Sequence, residues 1–295
     1  MVADGPPLPA APEGRRRPAD ITAADVRWLA WHEARAHALT GREVRDLGDA
    51  WLLHDPTDRE PFWNRIAGIV WPAETAAFDR RLTEVLALFA GLDRIPHVWA
   101  FPPFDQPADL VQRLLAFGFE DHGGGLMMAF DPDRDVAEAT RPPDADGRHV
   151  SVERLHRLVG DPAQDAAQAM TEVLVASFAV EPERRIAIEL ETVMGLSTDA
   201  YHAILVRVDG EPAAVARRTT FAGGSYLSSI GTAPAFRGLG LGRLVTALAV
   251  ADGLRDRSRW IYLGVFEENE VAQRLYRSLG FEQVGGLNPD LLLRS

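Results

Sequence analysis

Pro234-Ala235-Phe236-Arg237-Gly238-Leu239-Gly240-Leu241-Gly242-Arg243 joins an alternating run, Ser225–Ala233, to a stretch where Leu241, Leu244, Val245 and Leu248 recur at helical spacing. The segment therefore leaves a strand and enters a helix. Glycines without Cβ let successive backbone N–H groups converge on one point, and the helix N-terminus adds partial positive charge. No acidic residue occurs from Ala233 through Val250, although the chain carries a net charge of −12. Flanked by Arg237 and Arg243, the loop is either an anion holder suited to a pyrophosphate or a glycine-rich turn without a ligand. It is not a dinucleotide fingerprint, which follows the first parallel strand of a domain and has an acidic residue ~20 positions on. Nor is it a nucleotide-hydrolase phosphate loop, because there is no Gly-Lys-Ser/Thr and no lysine anywhere.

Working outward, His149–Leu155 reads as a strand. Asp161 reads as an N-cap with Pro162 at the first helical position, opening a helix with Met170, Leu174 and Phe178 on its buried face, and a second helix runs from Pro182 to about Leu196. Tyr201–Val208, Ala213–Phe221 and Ser225–Ala233 form a three-strand meander with turns at Asp209-Gly210 and Gly223-Gly224. After the glycine loop and its helix come a strand at Trp260–Phe266, a helix with Ala272, Leu275, Tyr276 and Leu279 inward, and a last strand from Phe281. Asn269 is placed to cap that helix, and Tyr276 needs either a core hydrogen-bond partner or a chemical role.

Arg237-x-x-Gly240-x-Gly242, followed by one helix, one strand and Asn269-x-x-Ala272-x-x-Leu275-Tyr276-x-x-x-Gly280-Phe281, closely resembles the GNAT superfamily of acyl-CoA-dependent N-acyltransferases. The resemblance covers residues 149–295. It implies that Arg237, Gly238, Leu239, Gly240, Leu241, Gly242 and Arg243 bind the pyrophosphate of acetyl-CoA. It further implies that Ile230, Gly231, Thr232 and Ala233 lend backbone groups to the pantetheine arm and the acyl carbonyl. Asn269 matches the family's asparagine near the pantetheine, and Tyr276 the tyrosine that protonates the departing thiolate. A phenol of pKa about 10 suits that task, and a strand N–H suits the oxyanion. The expected activity is acetyl transfer to a primary amine, of a small molecule or peptide, by direct attack on the thioester. The general base is open: Ser225–Thr232 holds no Asp, Glu or His, leaving Glu267, Glu268 and His202 as candidates. That gap motivates an alternative, an inactive acetyl-CoA-binding sensor or partner-binding protein. Tandem relatives that use aminoacyl-tRNA are a poorer match, given the intact pyrophosphate loop and the acidic surface.

The front half mixes both periods. A helix with Phe78, Leu82, Val85, Leu86 and Phe89 ends near Gly91, and another carries Leu110, Leu114 and Phe117. Short strands are read at Ala50–His54, Ile66–Trp71, His97–Phe101 and Leu126–Phe130. Gly118-Phe119-Glu120 followed by Gly123-Gly124 repeats the spacing of Gly280-Phe281-Glu282 followed by Gly285-Gly286, 162 positions on. This echo points to a duplicated fold. By that offset Pro107 stands for Asn269 and Leu114 for Tyr276, and Thr75–Arg80 contains no glycine. The front copy therefore reads as degenerate, packed on the active one and shaping its acceptor cavity, an organisation similar to that of tandem-domain mycothiol synthases. Six of the seven tryptophans lie there, for core packing or for an aromatic acceptor pocket.

The expected fold is α+β, with two GNAT-like domains, each a mixed, mostly antiparallel twisted sheet flanked by helices. The expected boundaries are a disordered tail at 1–19, domains at 20–131 and 149–295, and a surface linker at 132–148. The 295 residues, 46% of them hydrophobic and 25% charged, exclude a mostly disordered chain. An acidic surface disfavours nucleic acid and anionic membrane, and no apolar run reaches the ~18 residues of a membrane helix. The opening residues lack the apolar core of a secretory signal. With no cysteine there are no disulfides, thiolate metal sites or cysteine nucleophiles, and the histidines show no ligand spacing, so no metal is expected. The remaining expectations are a cytoplasmic monomer or homodimer.

Overall fold

The computed structural model describes residues 16–294. Residues 1–15, most of the expected disordered tail, lie outside the described residues. The front half runs α1 (Ala23–Ala38), β1 (Glu43–Asp46), β2 (Trp51–His54), β3 (Arg65–Ala67), α2 (Thr75–Gly91), β4 (His97–Trp99), α3 (Leu110–Phe117) and β5 (Glu120–Phe130). The back half runs β6 (Val150–Leu155), α4 (Asp161–Phe178), α5 (Arg185–Leu196), β7 (Tyr201–Val208), β8 (Glu211–Phe221), β9 (Gly224–Thr232), α6 (Leu241–Arg255), β10 (Trp260–Phe266), α7 (Glu270–Leu279) and β11 (Phe281–Leu292). That back-half order is the one the sequence pattern predicts.

Helix α1 has no counterpart in the sequence reading. Val26, Trp28, Leu29, Ala30 and Trp31 are all buried, so its apolar residues encircle the helix and leave no stripe of period 3.6. Its start is nonetheless specified locally. Asp25 N–H donates to the Thr22 hydroxyl, and Thr22 N–H donates to the Asp25 carboxylate, a reciprocal cap. Packed structure also begins ahead of Ile21, with Pro18–Asp20 in a 3₁₀ turn and Arg16 N–H donating to Arg259 O. In α4 the N-cap is Gly160 rather than Asp161, and Phe178 is half exposed rather than buried with Met170 and Leu174.

Among the described residues all eleven strands form one sheet, in the order β1-β2-β3-β4-β11-β5-β10-β9-β8-β7-β6. The two halves thus exchange their last strands: β5 pairs antiparallel with β10, and β11 pairs antiparallel with β4. Between them β5 and β11 pair with each other, from Phe281↔Phe130 to Leu292↔Glu120. The echoed glycines explain this symmetry. Gly118 and Gly280 close α3 and α7 with φ of +121° and +100°, and each turns its chain directly into one of the two exchanged strands. Each half also contains one parallel pair, β3 with β4 and β9 with β10. Segment 132–148 does more than cross the surface. It packs on α6 and buries Val136 and Ala145.

Trp28, Trp31 and Trp51 share a buried cluster with Tyr226, Trp260 and Tyr262, joining α1 and β2 to β9 and β10. Trp71 packs in the front-half core with Phe78 and Leu114. These tryptophans are core and junction residues. No described helix is long and apolar enough to cross a membrane.

Candidate active site

The parallel ladder between β9 and β10 runs from Gly224↔Trp260 to Leu227↔Leu263 and stops. Beyond it β10 stays with β5 as far as Phe266↔Gly125, while β9 stays with β8. The strands therefore part at Ser228, leaving the backbone of residues 228–232 without a partner on β10. Within that stretch β9 carries a bulge: Val215 faces Gly231 and Arg217 faces Ser228, and Ser229 adopts φ +49°. An extra residue there removes N–H and C=O groups from the ladder and turns them toward the opening.

The opening is a cavity of about 560 Å³ lined by β9, the glycine loop and one face of α7. Gly238 and Gly240 hold φ of +84° and +75°, values only glycine adopts without strain, and Leu241 begins α6. The first-turn N–H groups of α6 have no intrahelical partner and face an anion site that contains no carboxylate. Ile230, Gly231, Thr232, Arg237, Gly238, Gly240, Leu241, Gly242, Arg243, Asn269 and Tyr276 all reach this cavity. Ala233 and Leu239 do not: Ala233 N–H donates to Ala213 O, continuing the sheet, and Leu239 packs on the apolar core.

Several of these residues are held by the fold itself. Arg237 donates to Thr232 O and Ser177 O, tying the loop to β9 and α4 while the rest of its guanidinium stays exposed. Arg243 donates to Ser278 Oγ across to α7. Asn269 Oδ1 accepts from Ala272 N–H as the α7 cap, which leaves its amide NH₂ for a ligand. Ser177 Oγ is buried without a partner, and a Cβ on Gly231 would lie 2.8 Å from it. A ligand carrying polar groups along β9 fits that orphaned hydroxyl and the narrow glycine passage.

Tyr276 is 7% exposed, on the inward face of α7 with Leu279. Burial pushes its phenol up to about 12, so it keeps its proton throughout the neutral range. Giving that proton to a thiolate of ordinary basicity is uphill by roughly 3–5 kcal/mol, a tolerable part of an enzymatic barrier.

A second cavity, of about 570 Å³, adjoins the first along β9, and Phe178 lies on the wall of both. The sequence reading missed its walls, because they come from both halves: His37, Arg42, Asp55 and Trp63 from the front, Glu191, Arg217, Tyr226, Ser228 and Ser229 from the back. An ion-pair ladder crosses it. Arg42 meets Asp55 at 3.1 Å and Glu191 at 3.1 Å, and Arg217 meets Glu191 at 3.6 Å. Burial raises the Glu191 pKa, but Arg217 and Arg42 outweigh it and hold the carboxylate ionised. The Arg42 guanidinium lies 3.6 Å above the Trp63 ring, the one tryptophan on this cavity wall.

Glu267 and Glu268 are exposed beyond β10 and line neither cavity. His202 stacks on His156 at 4.1 Å in a separate small pocket, and burial, with Arg218 and His156, pushes it down to about 4. None of these three candidates faces the slot.

The front half's equivalent of the glycine loop is closed by its own acid. Glu74 caps α2, its carboxylate accepting from Ala76 N–H at 2.9 Å and Ala77 N–H at 2.7 Å, where an anion would sit. Leu114, the counterpart of Tyr276, is fully buried in the front core.

Residues 166–281 match the profile of the Acetyltransferase (GNAT) family. A stretch of 54 residues is 52% identical to mycothiol acetyltransferase of Thermobifida fusca (strain YX), covering 18% of this chain and only 16% of that protein. Among solved structures, a GCN5-related N-acetyltransferase from Kribbella flavida superposes with a TM-score of 0.66 at 21% identity, over 92% of this chain and 96% of that one. A tandem GNAT protein from the clavulanic acid biosynthesis pathway superposes with a TM-score of 0.60 at 14% identity, over 93% and 98%. These two likenesses are of fold.

Proposed function

This chain carries a GNAT-family domain over residues 166–281 within a tandem GNAT fold, and from that premise we propose that it is an acetyl-CoA-dependent N-acetyltransferase acting on a primary amine. The observation that carries the reading is the end of the β9–β10 ladder at Leu227↔Leu263, beside a glycine-rich helix N-terminus at one end and a buried phenol at the other. In this reading the N–H groups of Gly238–Arg243 hold the pyrophosphate. The freed backbone of β9 aligns the pantetheine, and Asn269 closes on it from α7. A β9 N–H at the bulge stabilises the carbonyl oxygen as it gains negative charge, and Tyr276 hands its proton to sulfur. The second cavity receives the acceptor, a small-molecule or peptide amine, and the front half supplies about a third of its wall.

Calorimetry with acetyl-CoA and thiol release with a panel of primary amines test this, set against Arg237→Ala and Tyr276→Phe. Arg237→Ala weakens acetyl-CoA binding, whereas Tyr276→Phe preserves binding and slows release. Tight binding with no turnover on any amine would favour the sensor reading instead.

A further inference from the structure

We propose that His37, in the last turn of α1, is the general base that takes the acceptor's proton through one water, with Glu33 and Arg65 as its positioning residues. The inference rests on the acetyl-transfer reading above. It assigns chemistry to the half of the chain that holds none of the family's motif.

Strand β9 brings no acid or histidine to the slot, so a base must come from another element. His37 lines the acceptor cavity with its side chain 12% exposed. Its Nε2 lies 2.8 Å from Glu33 Oε1, one helical turn back, and Glu33 in turn lies 2.6 Å from Arg65 Nη2 on β3. Arg65 is fixed further by donating to Phe62 O and by lying 4.5 Å from the Trp99 ring. Burial alone would raise the Glu33 pKa, but Arg65 and His37 hold it down at about 2, so the carboxylate is ionised at all working pH values. An ionised Glu33 can only accept. His37 therefore carries its proton on Nε2 and presents Nδ1 as a lone pair, for which the described residues provide no partner. This is the orientation that a carboxylate imposes on a catalytic imidazole, and it stabilises the imidazolium formed when Nδ1 takes a proton.

The position suits the slot. The His37 ring meets the Tyr226 ring edge-on at 5.6 Å. Along β9 the bulge at Ser229 lies three residues further, roughly 10 Å at about 3.3 Å per residue, a gap that the amine and one water fill. The charged groups around His37 are Glu33 on its own helix, Arg65 behind it on β3, and Arg42, Asp55, Asp58, Glu181, Arg184, Glu191 and Arg217 along the cavity wall. Tyr226 faces it from β9.

The step balances. One ammonium proton passes through water to His37 Nδ1 and then to solvent. The freed lone pair forms the N–C bond, the C–S electrons leave on sulfur, and Tyr276 protonates the sulfur. The second proton shed by nitrogen restores the phenol. Products are the amide, CoA thiol and one released proton.

The test measures thiol release from acetyl-CoA with benzylamine, protonated at neutral pH, and with methoxyamine, which is already neutral there. For His37→Gln the expected result is a loss of about 100-fold in kcat with benzylamine and far less with methoxyamine. Acetyl-CoA affinity should stay within about twofold of wild type, and the acid limb of the pH–rate profile should disappear. Glu33→Gln is expected to move that limb while keeping part of the rate, an effect that a merely structural His37–Glu33 pair would not produce. A His37→Gln enzyme with wild-type kcat on benzylamine, or equal losses on both amines, overturns the proposal and leaves acetyl transfer standing. A wild-type enzyme that releases no thiol with either amine overturns the acetyl-transfer reading and this one with it.

Discussion

His32 Nδ1 lies 2.7 Å from the Tyr262 hydroxyl, across 230 positions of sequence, and its Nε2 lies 3.1 Å from Phe221 O. The imidazole is stacked between Trp28 and Phe221, with centroids at 4.8 and 4.0 Å, and it is fully buried. One neutral side chain thus pins α1 of the front half to β8 and β10 of the back half. The same helix gives Ala36 and His37 to the wall of the second cavity.

Burial pushes the His32 pKa down to about 4, against 6.5 for a free imidazole. Between those values the unfolded chain binds the proton and the folded one does not. The stability His32 contributes is therefore complete above pH 6.5 and is lost as pH falls toward 4, by up to about 3 kcal/mol. Urea unfolding at pH 7.5 and 5.0 is expected to show this loss in wild type and a smaller one in His32→Gln. His202, also lowered to about 4, contributes in the same window in both proteins and cancels in the comparison. Equal pH dependence in the two would refute the assignment.

Tyr276→Phe removes a hydroxyl that has no described hydrogen-bond partner, so folding loses nothing by it. The expected outcome is an unchanged melting temperature and acetyl-CoA affinity, with kcat reduced by about 100-fold. An unchanged kcat would take the phenol out of the chemistry.

Gly240→Ala places a Cβ on a residue at φ +75°, which costs about 1 kcal/mol of backbone strain. Because the strain sits at the first turn of α6, acetyl-CoA affinity should fall several-fold while the fold persists. Calorimetry reads both the affinity and the stoichiometry, expected to be one per chain because Glu74 occupies the matching helix start in the front half. A stoichiometry of two would contradict that.

The strand exchange predicts that the halves do not separate. Expressed alone, residues 149–295 lack β5, leaving β10 and β11 with unpaired edges and the buried face of Tyr262 uncovered. Aggregated or unfolded material is expected by size exclusion and circular dichroism. A folded, monomeric fragment would show that the exchanged strand is dispensable.

Much of the back half is legible locally because its signals are local. Turn pairs such as Asp209-Gly210, the glycine that closes α7 and the period-2 alternation of β7 and β8 act within a few residues. The glycine loop is readable for the same reason, since a helix start and its neighbouring N–H groups are set by adjacent residues. Helix α1 escaped because its apolar residues face partners on every side, Phe221 and Tyr262 among them, and a fully covered helix leaves no stripe.

The chain's own letters therefore determine the order of elements, the anion-holding turn at Arg237–Arg243 and the inward placement of Tyr276, each fixed by neighbours within one or two turns. Tertiary structure alone decides that β5 and β11 trade places, that the β9–β10 ladder ends at Leu227, and that His37, Glu33 and Arg65 meet beside Glu191. Such long-range pairings are selected by the burial of whole faces and by charges finding partners as far as 149 positions away, as Arg42 finds Glu191, and no local pattern records them.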